Sequence, residues 1–100
     1  MFHADQFKTV LAASALTVAE AAQVYGVSRQ TVYEWLGRGK APSVPRPDSI
    51  QSRMAESITV ALAKAVERRL LPFPSLSRED RKRRVASLAS RAQQLRPASR

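Results

Sequence analysis

The feature that most constrains this chain is a pair of short helices joined by a tight turn, encoded by residues 17–36, TVAEAAQVYGVSRQTVYEWL. Thr17 and Glu20 have capping-box spacing, in which each side chain bonds the backbone amide of the other residue. Gly26 favours the left-handed conformation that ends a helix, and Ser28 can cap the next helix. Two helices so close in sequence must cross steeply, so the residues at their contact are restricted.

The residue types at the contact positions agree with such a crossing. Ala22 is small enough to let the second helix approach, and Val27 can fill the corner between the helices. Val32 and Trp35 lie about one helical turn apart and are predicted to face inward. A base-stacking role for Trp35 is the alternative, but its inward position favours the core. The arrangement is that of a DNA-binding helix-turn-helix.

The remaining chain also has helical periodicity, and proline-rich stretches at 37–47 and 71–75 separate its parts. We predict an all-α fold of about five helices, with a central helix-turn-helix, a long fourth helix and a basic C-terminal helix. The predicted division is a DNA-binding core at 1–45, a long helix at 46–75 that packs on the core, and a basic helix or tail at 76–100.

Polar residues mark where the other helices begin. Asp5 is predicted to cap the first helix, and Asp48 or Ser49 to start the long one, which would end near Leu71. Ser77 is predicted to start the last helix, which would reach about Leu95. The long helix carries a stripe of apolar residues that is predicted to be buried. Its members are Ile50, Met54, Ile58, Ala61, Leu62, Ala65 and Val66.

The charge is strongly basic and unevenly distributed. The 100 residues include 17 Lys and Arg against 8 Asp and Glu, which gives a net charge of +9. Residues 1–37 contain only two of the basic residues, and residues 38–100 contain the other 15. Such a surplus attracts polyanions, of which nucleic acid is the first candidate, while a basic surface kept for solubility is the alternative.

The composition argues against several other classes of protein. The chain has no cysteine and a single histidine, His3, so thiolate or histidine metal sites and a catalytic triad lack their residues. The eight carboxylates are scattered, and no pair has the spacing of a metal-dependent nuclease. No apolar run approaches a membrane span, and no signal peptide is visible. We therefore expect a non-enzyme of the bacterial cytoplasm or nucleoid, with no cofactor, metal, small-molecule ligand or membrane partner.

The segment 26–36, GVSRQTVYEWL, resembles the helix-turn-helix superfamily of bacterial and phage regulators. The similar groups are Cro and phage repressors, excisionase-type domains and the DNA-binding ends of transposases. The resemblance covers about residues 7–42. Residues 39–42, GKAP, resemble the ending of excisionase-type domains, which usually continue into a two-stranded wing. Here SVPRPDSI leads into a helical pattern, which favours a repressor-like helical continuation.

The resemblance implies that helix 28–37 enters the major groove with its N-terminal part. Arg29 then suits guanine and Gln30 suits adenine, whereas Tyr33 would contact a thymine methyl or a phosphate. Glu34 would accept from cytosine or pair with Arg38 at i+4, and the pairing is favoured.

Phosphate contacts are expected from polar side chains around the motif and from the basic C-terminal helix. The expected phosphate-contacting residues are Thr17, Ser28, Thr31, Arg38, Lys40, Arg81, Lys82, Arg83 and Arg84. The run 81–84 surrounds its helix with positive charge. It could grip flanking phosphates, form a partly disordered tail that orders on DNA, or bind RNA as an arginine-rich helix, in that order of preference.

The function most consistent with these patterns is a sequence-specific regulator of transcription that binds double-stranded DNA, specifically a repressor of phage or mobile-element type. The long helix extends beyond what one small bundle covers, so a homodimer through it or through the last helix is expected. Two rivals remain open. One is an excisionase-like or architectural accessory factor, and the other is a helical protein-interaction module without DNA specificity.

Overall fold

Five α-helices form the regular structure of residues 3–37 and 50–94, the part of the chain that the computed structural model describes. They are α1 (Ala4–Ser14), α2 (Val18–Tyr25), α3 (Arg29–Trp35), α4 (Ile50–Glu67) and α5 (Arg78–Gln93). These described residues contain no strand. The all-α prediction with five helices is confirmed.

The helix boundaries around the motif follow the capping residues. Thr17 and Glu20 form the complete capping box of α2, and Gly26 ends this helix with φ of 68°. The Val27 amide then donates to the carbonyl of Ala22 at 3.0 Å, as in a Schellman turn. Ser28 caps α3 by accepting from the amide of Thr31. The turn between α2 and α3 is therefore set by local hydrogen bonds.

Two predicted helix ends are wrong. The N-cap of α1 is His3, which makes no side-chain cap, so Asp5 lies inside the first turn, where its charge still suits the helix dipole. The helix α4 ends at Glu67 and does not extend to Leu71. Arg69 takes a left-handed φ of 62°, and the amide of Leu70 closes the end on the carbonyl of Ala65 at 2.8 Å.

The last helix begins as predicted, since Ser77 caps α5 by accepting from the amide of Asp80. The predicted starts of the long helix at Asp48 or Ser49 and the predicted end of the last helix at Leu95 lie outside the described residues.

Helix α2 packs against α3 on one side and against α5 and α4 on others, while α4 also packs along α1. The centre of the fold is a cluster of three rings from three helices. Phe7 lies edge-to-face with Tyr25 and Trp35 at 5.2 and 5.4 Å between centroids, and the last two rings are 5.9 Å apart. Edge-to-face packing is favourable for aromatic rings, so the cluster fixes α1, α2 and α3 to one another.

A buried hydrogen bond attaches α4 to this core. The Tyr25 hydroxyl donates to Thr59 Oγ1 at 2.7 Å, because the Thr59 hydroxyl itself donates to the carbonyl of Ala55 at 2.7 Å. Burial raises the pKa of the Tyr25 phenol well above its ordinary value. A buried hydroxyl without a partner would be costly, so this pair sets how α4 rests on α2.

The buried face of α4 differs from the predicted stripe. Met54, Ile58 and Leu62 are buried as expected, but Ile50 is 60% exposed and Ala61 is exposed. The buried face also includes Ala55, which the predicted stripe omits, and two hydroxyl-bearing residues that a count of apolar side chains does not select. These two are Ser52 and Thr59. No helix among the described residues is long and apolar enough to cross a bilayer.

Candidate nucleic-acid interface

Helix α3 has a buried side and a solvent side. Val32 is fully buried and Trp35 is 2% exposed, which confirms the prediction that both face inward. The solvent side carries Arg29, Gln30 and Tyr33, and Tyr33 is 41% exposed. These three are base-reading candidates, and base edges can be reached only by exposed side chains. The fourth candidate, Glu34, is half-buried.

The hydroxyl groups at the start of α3 are held together. Ser28 Oγ accepts from the Thr31 amide at 3.1 Å and lies 2.9 Å from Thr31 Oγ1. Ser28 is exposed and Thr31 half-buried. The two predicted phosphate-contacting residues thus form one polar group at the helix N-terminus.

The amide of Thr17 is used within the fold at the start of α2. It donates to Glu20 Oε1 at 2.9 Å within the capping box. Its Oγ1 accepts from the Glu20 amide at 3.1 Å and therefore still has a hydrogen to donate. The hydroxyl, not the amide, is the part of Thr17 that remains suited to a phosphate.

Arg81 forms a contact that the sequence did not predict. Its guanidinium makes a two-pronged ion pair with Glu20, at 2.7 Å from Nε to Oε2 and 2.8 Å from Nη2 to Oε1. Nη2 also donates to the carbonyl of Ala15 at 3.2 Å, and the guanidinium carbon lies 5.7 Å from the ring centre of Phe73. Bonding to Arg81 lowers the pKa of the Glu20 carboxyl below its ordinary range.

This ion pair changes the electrostatics at the start of α2. A carboxylate at that position would repel a phosphate, and the guanidinium neutralises it. Because the guanidinium of Arg81 already bonds Glu20 and the carbonyl of Ala15, the prediction that Arg81 contacts a phosphate is corrected. Sequence reasoning missed the pair because Glu20 and Arg81 are 61 residues apart and Glu20 already had a local role as a cap.

The basic run 81–84 does not form a single surface. Arg81 faces α2, whereas Arg83 and Arg84 line a depression on the side of α4. Lys82 is exposed and does not line that depression. Residues 78–93 form a helix whose Val85, Ala89 and Ala92 are buried, so the alternative of a partly disordered tail is wrong for this segment.

Lys8 was not among the predicted contacts, yet it lies near the motif. Its Nζ is 3.8 Å from the place where a Cβ on Gly37 would lie, just beyond the end of α3. Lys8 and Thr17 line the same shallow depression. Lys8 is one of only two basic residues before position 38, and this scarcity is the feature of the sequence that could have identified it as a candidate contact. The predicted contacts Arg38 and Lys40 lie outside the described residues.

Comparison with protein-family models identifies the domain that contains α2 and α3. Residues 15–54 match the family model described as a helix-turn-helix domain. The chain carries a helix-turn-helix domain. The matched range covers α2, α3 and the first turn of α4, and a helix-turn-helix domain indicates DNA binding. No curated protein and no solved structure matches the chain.

Within residues 3–37 and 50–94, no three His, Cys, Asp or Glu side chains are grouped so that they could hold a metal ion.

We expect the ion pair between Glu20 and Arg81 to make stability depend on pH. The pKa of the Glu20 carboxyl is lowered in the folded protein, so the ionised carboxylate stabilises the fold at pH values above the pKa of an unfolded glutamate. This contribution is lost as the pH falls through the pKa of Glu20 in the folded protein. At pH 7, Glu20→Gln should lower the free energy of unfolding by about 1–2 kcal/mol in urea titrations. The difference from the wild type should shrink towards pH 3.

The matched control is Glu67→Gln, because Glu67 is exposed at the end of α4. It should change the free energy of unfolding by less than about 0.5 kcal/mol at either pH. A Glu20→Gln effect that is the same at pH 7 and pH 3 would show that the carboxylate charge contributes nothing.

Proposed function

We propose that the protein is a sequence-specific regulator that binds double-stranded DNA and reads the major groove with α3. The observation that carries the proposal is the separation of the two sides of this helix. Val32 and Trp35 anchor it in the core, while Arg29, Gln30 and Tyr33 stay exposed on a helix-turn-helix domain. A helix held this rigidly can present polar side chains to base edges at a fixed register.

Direct readout is assigned to the first turn of α3. Arg29 can donate two hydrogen bonds to guanine O6 and N7, and Gln30 can bond adenine N6 and N7. Tyr33, one turn further on, supplies an apolar ring edge for a thymine methyl and a hydroxyl for a phosphate. Glu34 is half-buried and is assigned the smallest part in readout.

Phosphate contacts on both sides of α3 would hold this register. Ser28, Thr31 and the hydroxyl of Thr17 are proposed for the helix starts. The ion pair between Glu20 and Arg81 holds the beginning of α5 beside the beginning of α2. The exposed Lys82 therefore lies at the same end of the domain as Thr17. Lys8, beside Gly37, is proposed for the other end of α3. Arg38 and Lys40 remain predicted contacts.

Regulation would follow from occupancy of an operator, which blocks access of the polymerase and makes the protein a repressor. The proposed protein acts as a homodimer on two half-sites about one helical turn apart. Support comes from the exposed apolar side chains of α4, Ile50 and Val60, which a partner helix could cover. A non-enzymatic role is consistent with the helix-turn-helix domain.

A second candidate is an excisionase-like accessory factor that bends DNA for a recombinase. The matching family model is of the excisionase-like kind, which favours this reading. The two candidates share α3 and its contacts, and they differ in the symmetry of the target and in the shape of the bound DNA.

Selection of binding sites from random duplexes at physiological salt tests both candidates. We expect enrichment of a defined motif, with affinity for it about a thousandfold or more above that for random duplex DNA. A palindromic motif bound by a dimer, with light scattering giving twice the mass of 11.1 kDa, supports the repressor. A single asymmetric site that is bent in circular-permutation assays supports the accessory factor.

An absence of any enriched motif would overturn both candidates and leave the protein-interaction module. Salt dependence is the second readout. Binding through phosphates requires the affinity to fall steeply as salt is raised, with a slope of about −0.9 per neutralised phosphate.

A further inference from the structure

A groove runs between the second half of α4 and α5, on a side of the molecule that the DNA-binding proposal does not use. Two adjoining depressions form it, with volumes of about 600 and 420 Å³. They share the residues Ala65, Leu70, Leu88 and Arg91, so they form one continuous feature. We call this feature the α4–α5 groove.

The floor of the α4–α5 groove is apolar and only partly covered. Leu70 is 61% exposed, and Ala65, Phe73 and Leu88 are half-buried. The groove exists because α4 ends at Glu67, where the left-handed Arg69 turns the chain and leaves Leu70 beside α5. Apolar side chains exposed side by side in a depression are typical of a surface that binds another protein.

The charged residues on the rim of the same groove are all cationic. Its charged residues are Lys64, Arg68, Arg83, Arg84 and Arg91. All five are exposed, and none of the described residues that line the groove is an aspartate or a glutamate. Five like charges around an apolar floor are unfavourable unless anionic groups approach them.

We propose that the α4–α5 groove binds an amphipathic helix of a partner protein, with an apolar stripe flanked by aspartate and glutamate. The apolar stripe would cover Leu70 and Leu88, and the carboxylates would meet Arg84 and Arg91 on one wall and Lys64 and Arg68 on the other. A helix is the expected form because helical walls bind helices through side chains, and the described residues offer no strand edge for an extended peptide.

The two other occupants fit the groove less well. The DNA backbone would satisfy the charges but would place phosphates over the exposed Leu70 and the half-buried Phe73. A second copy of this chain has a net charge of +9 and would bring like charge to a cationic rim. An acidic amphipathic helix complements both the floor and the rim. The inference does not depend on DNA binding by α3.

The test is a selection from a display library of 18-residue helical peptides, with the full-length protein as the target. The library is randomised over both apolar and charged positions. We expect the enriched peptides to carry apolar residues at i, i+3 or i+4 and i+7, with at least three acidic residues beside them. Binding of one enriched peptide, labelled for fluorescence polarisation, is then measured against variants of the protein.

The charge test compares two double variants with the same change of net charge. R84E with R91E reverses charge in the groove, whereas R78E with K82E reverses it on exposed residues of α5 that do not line it. We expect the first to weaken peptide binding at least about tenfold and the second less than about twofold. Thermal melting monitored by circular dichroism confirms that both fold.

The apolar test compares two equally exposed residues of which only one lies in the groove. Leu70→Ser should weaken binding about fivefold, whereas Ile50→Ser, at the far end of α4, should have no effect.

Enriched peptides that are neutral or basic would overturn the proposal, as would equal losses in the two double variants. Competition by duplex DNA that depends on Arg84 and Arg91 would assign the groove to DNA, and a protein dimer broken by Leu70→Ser would assign it to a second copy.

Discussion

Trp35→Ala is expected to remove about 3–5 kcal/mol from the free energy of unfolding. Trp35 is 2% exposed and contacts Phe7 and Tyr25 edge-to-face, so its removal opens a cavity where α1, α2 and α3 meet. The total stability of a domain this small is only about 5–10 kcal/mol. Urea denaturation monitored by circular dichroism gives the loss directly.

Two further variants make this measurement decisive. Trp35→Phe keeps a ring in the cluster and should lose only about 1–2 kcal/mol, which provides a value if the alanine variant does not fold. Tyr33→Ala removes a ring from the exposed side of the same helix and should lose less than about 0.5 kcal/mol. Comparable losses at positions 33 and 35 would contradict the assignment of the two sides of α3.

Arg29→Ala and Gln30→Ala are each expected to lose about 1–3 kcal/mol of binding free energy on the selected site, which is about a 5- to 150-fold loss of affinity. On random duplex DNA the loss should be small, because base contacts are absent there. Both side chains are exposed at the start of α3 and contribute nothing to the core. Titrations of labelled duplexes at a fixed salt concentration measure both affinities.

Lys82→Ala is the contrasting variant, because Lys82 is proposed to contact phosphate. It should weaken binding to both duplexes by the same factor and reduce the magnitude of the salt slope by about 1. If Arg29→Ala behaved like Lys82→Ala, Arg29 would contact only the backbone of the DNA. An exposed residue outside α3, such as Gln51 on α4, supplies a substitution that should leave both affinities unchanged.

Local signals in the sequence were sufficient for the motif and insufficient for the way the helices pack. The capping box at Thr17, the left-handed Gly26 and the inward Trp35 depend on neighbours within a few residues, and all three predictions are confirmed. The pairing of Glu20 with Arg81 joins distant parts of the chain, and no local pattern selects it.

The same distinction explains the errors on α4. Helix periodicity identified an apolar stripe, but burial at Ser52 and Thr59 depends on which neighbour offers a small space or a hydroxyl partner. The predicted end of the helix near Leu71 rests on the proline that follows it. The helix ends earlier because Arg69 takes a left-handed conformation, and the sequence has no glycine there to signal such a turn. Apart from Arg81, which pairs with Glu20, and from Arg83 and Arg84, which line the α4–α5 groove, the predicted roles of the site residues stay predictions, as do the predicted domain boundaries.

The division of α3 into two sides has a consequence for how such a protein can diversify. The residues that stabilise the helix, Val32 and Trp35, are different from the residues it presents to solvent, Arg29, Gln30 and Tyr33. Substitutions on the presented side leave the aromatic cluster untouched, so they change surface chemistry at little thermodynamic expense. The scaffold can therefore acquire a new target preference through one or two replacements, while the interior remains the same.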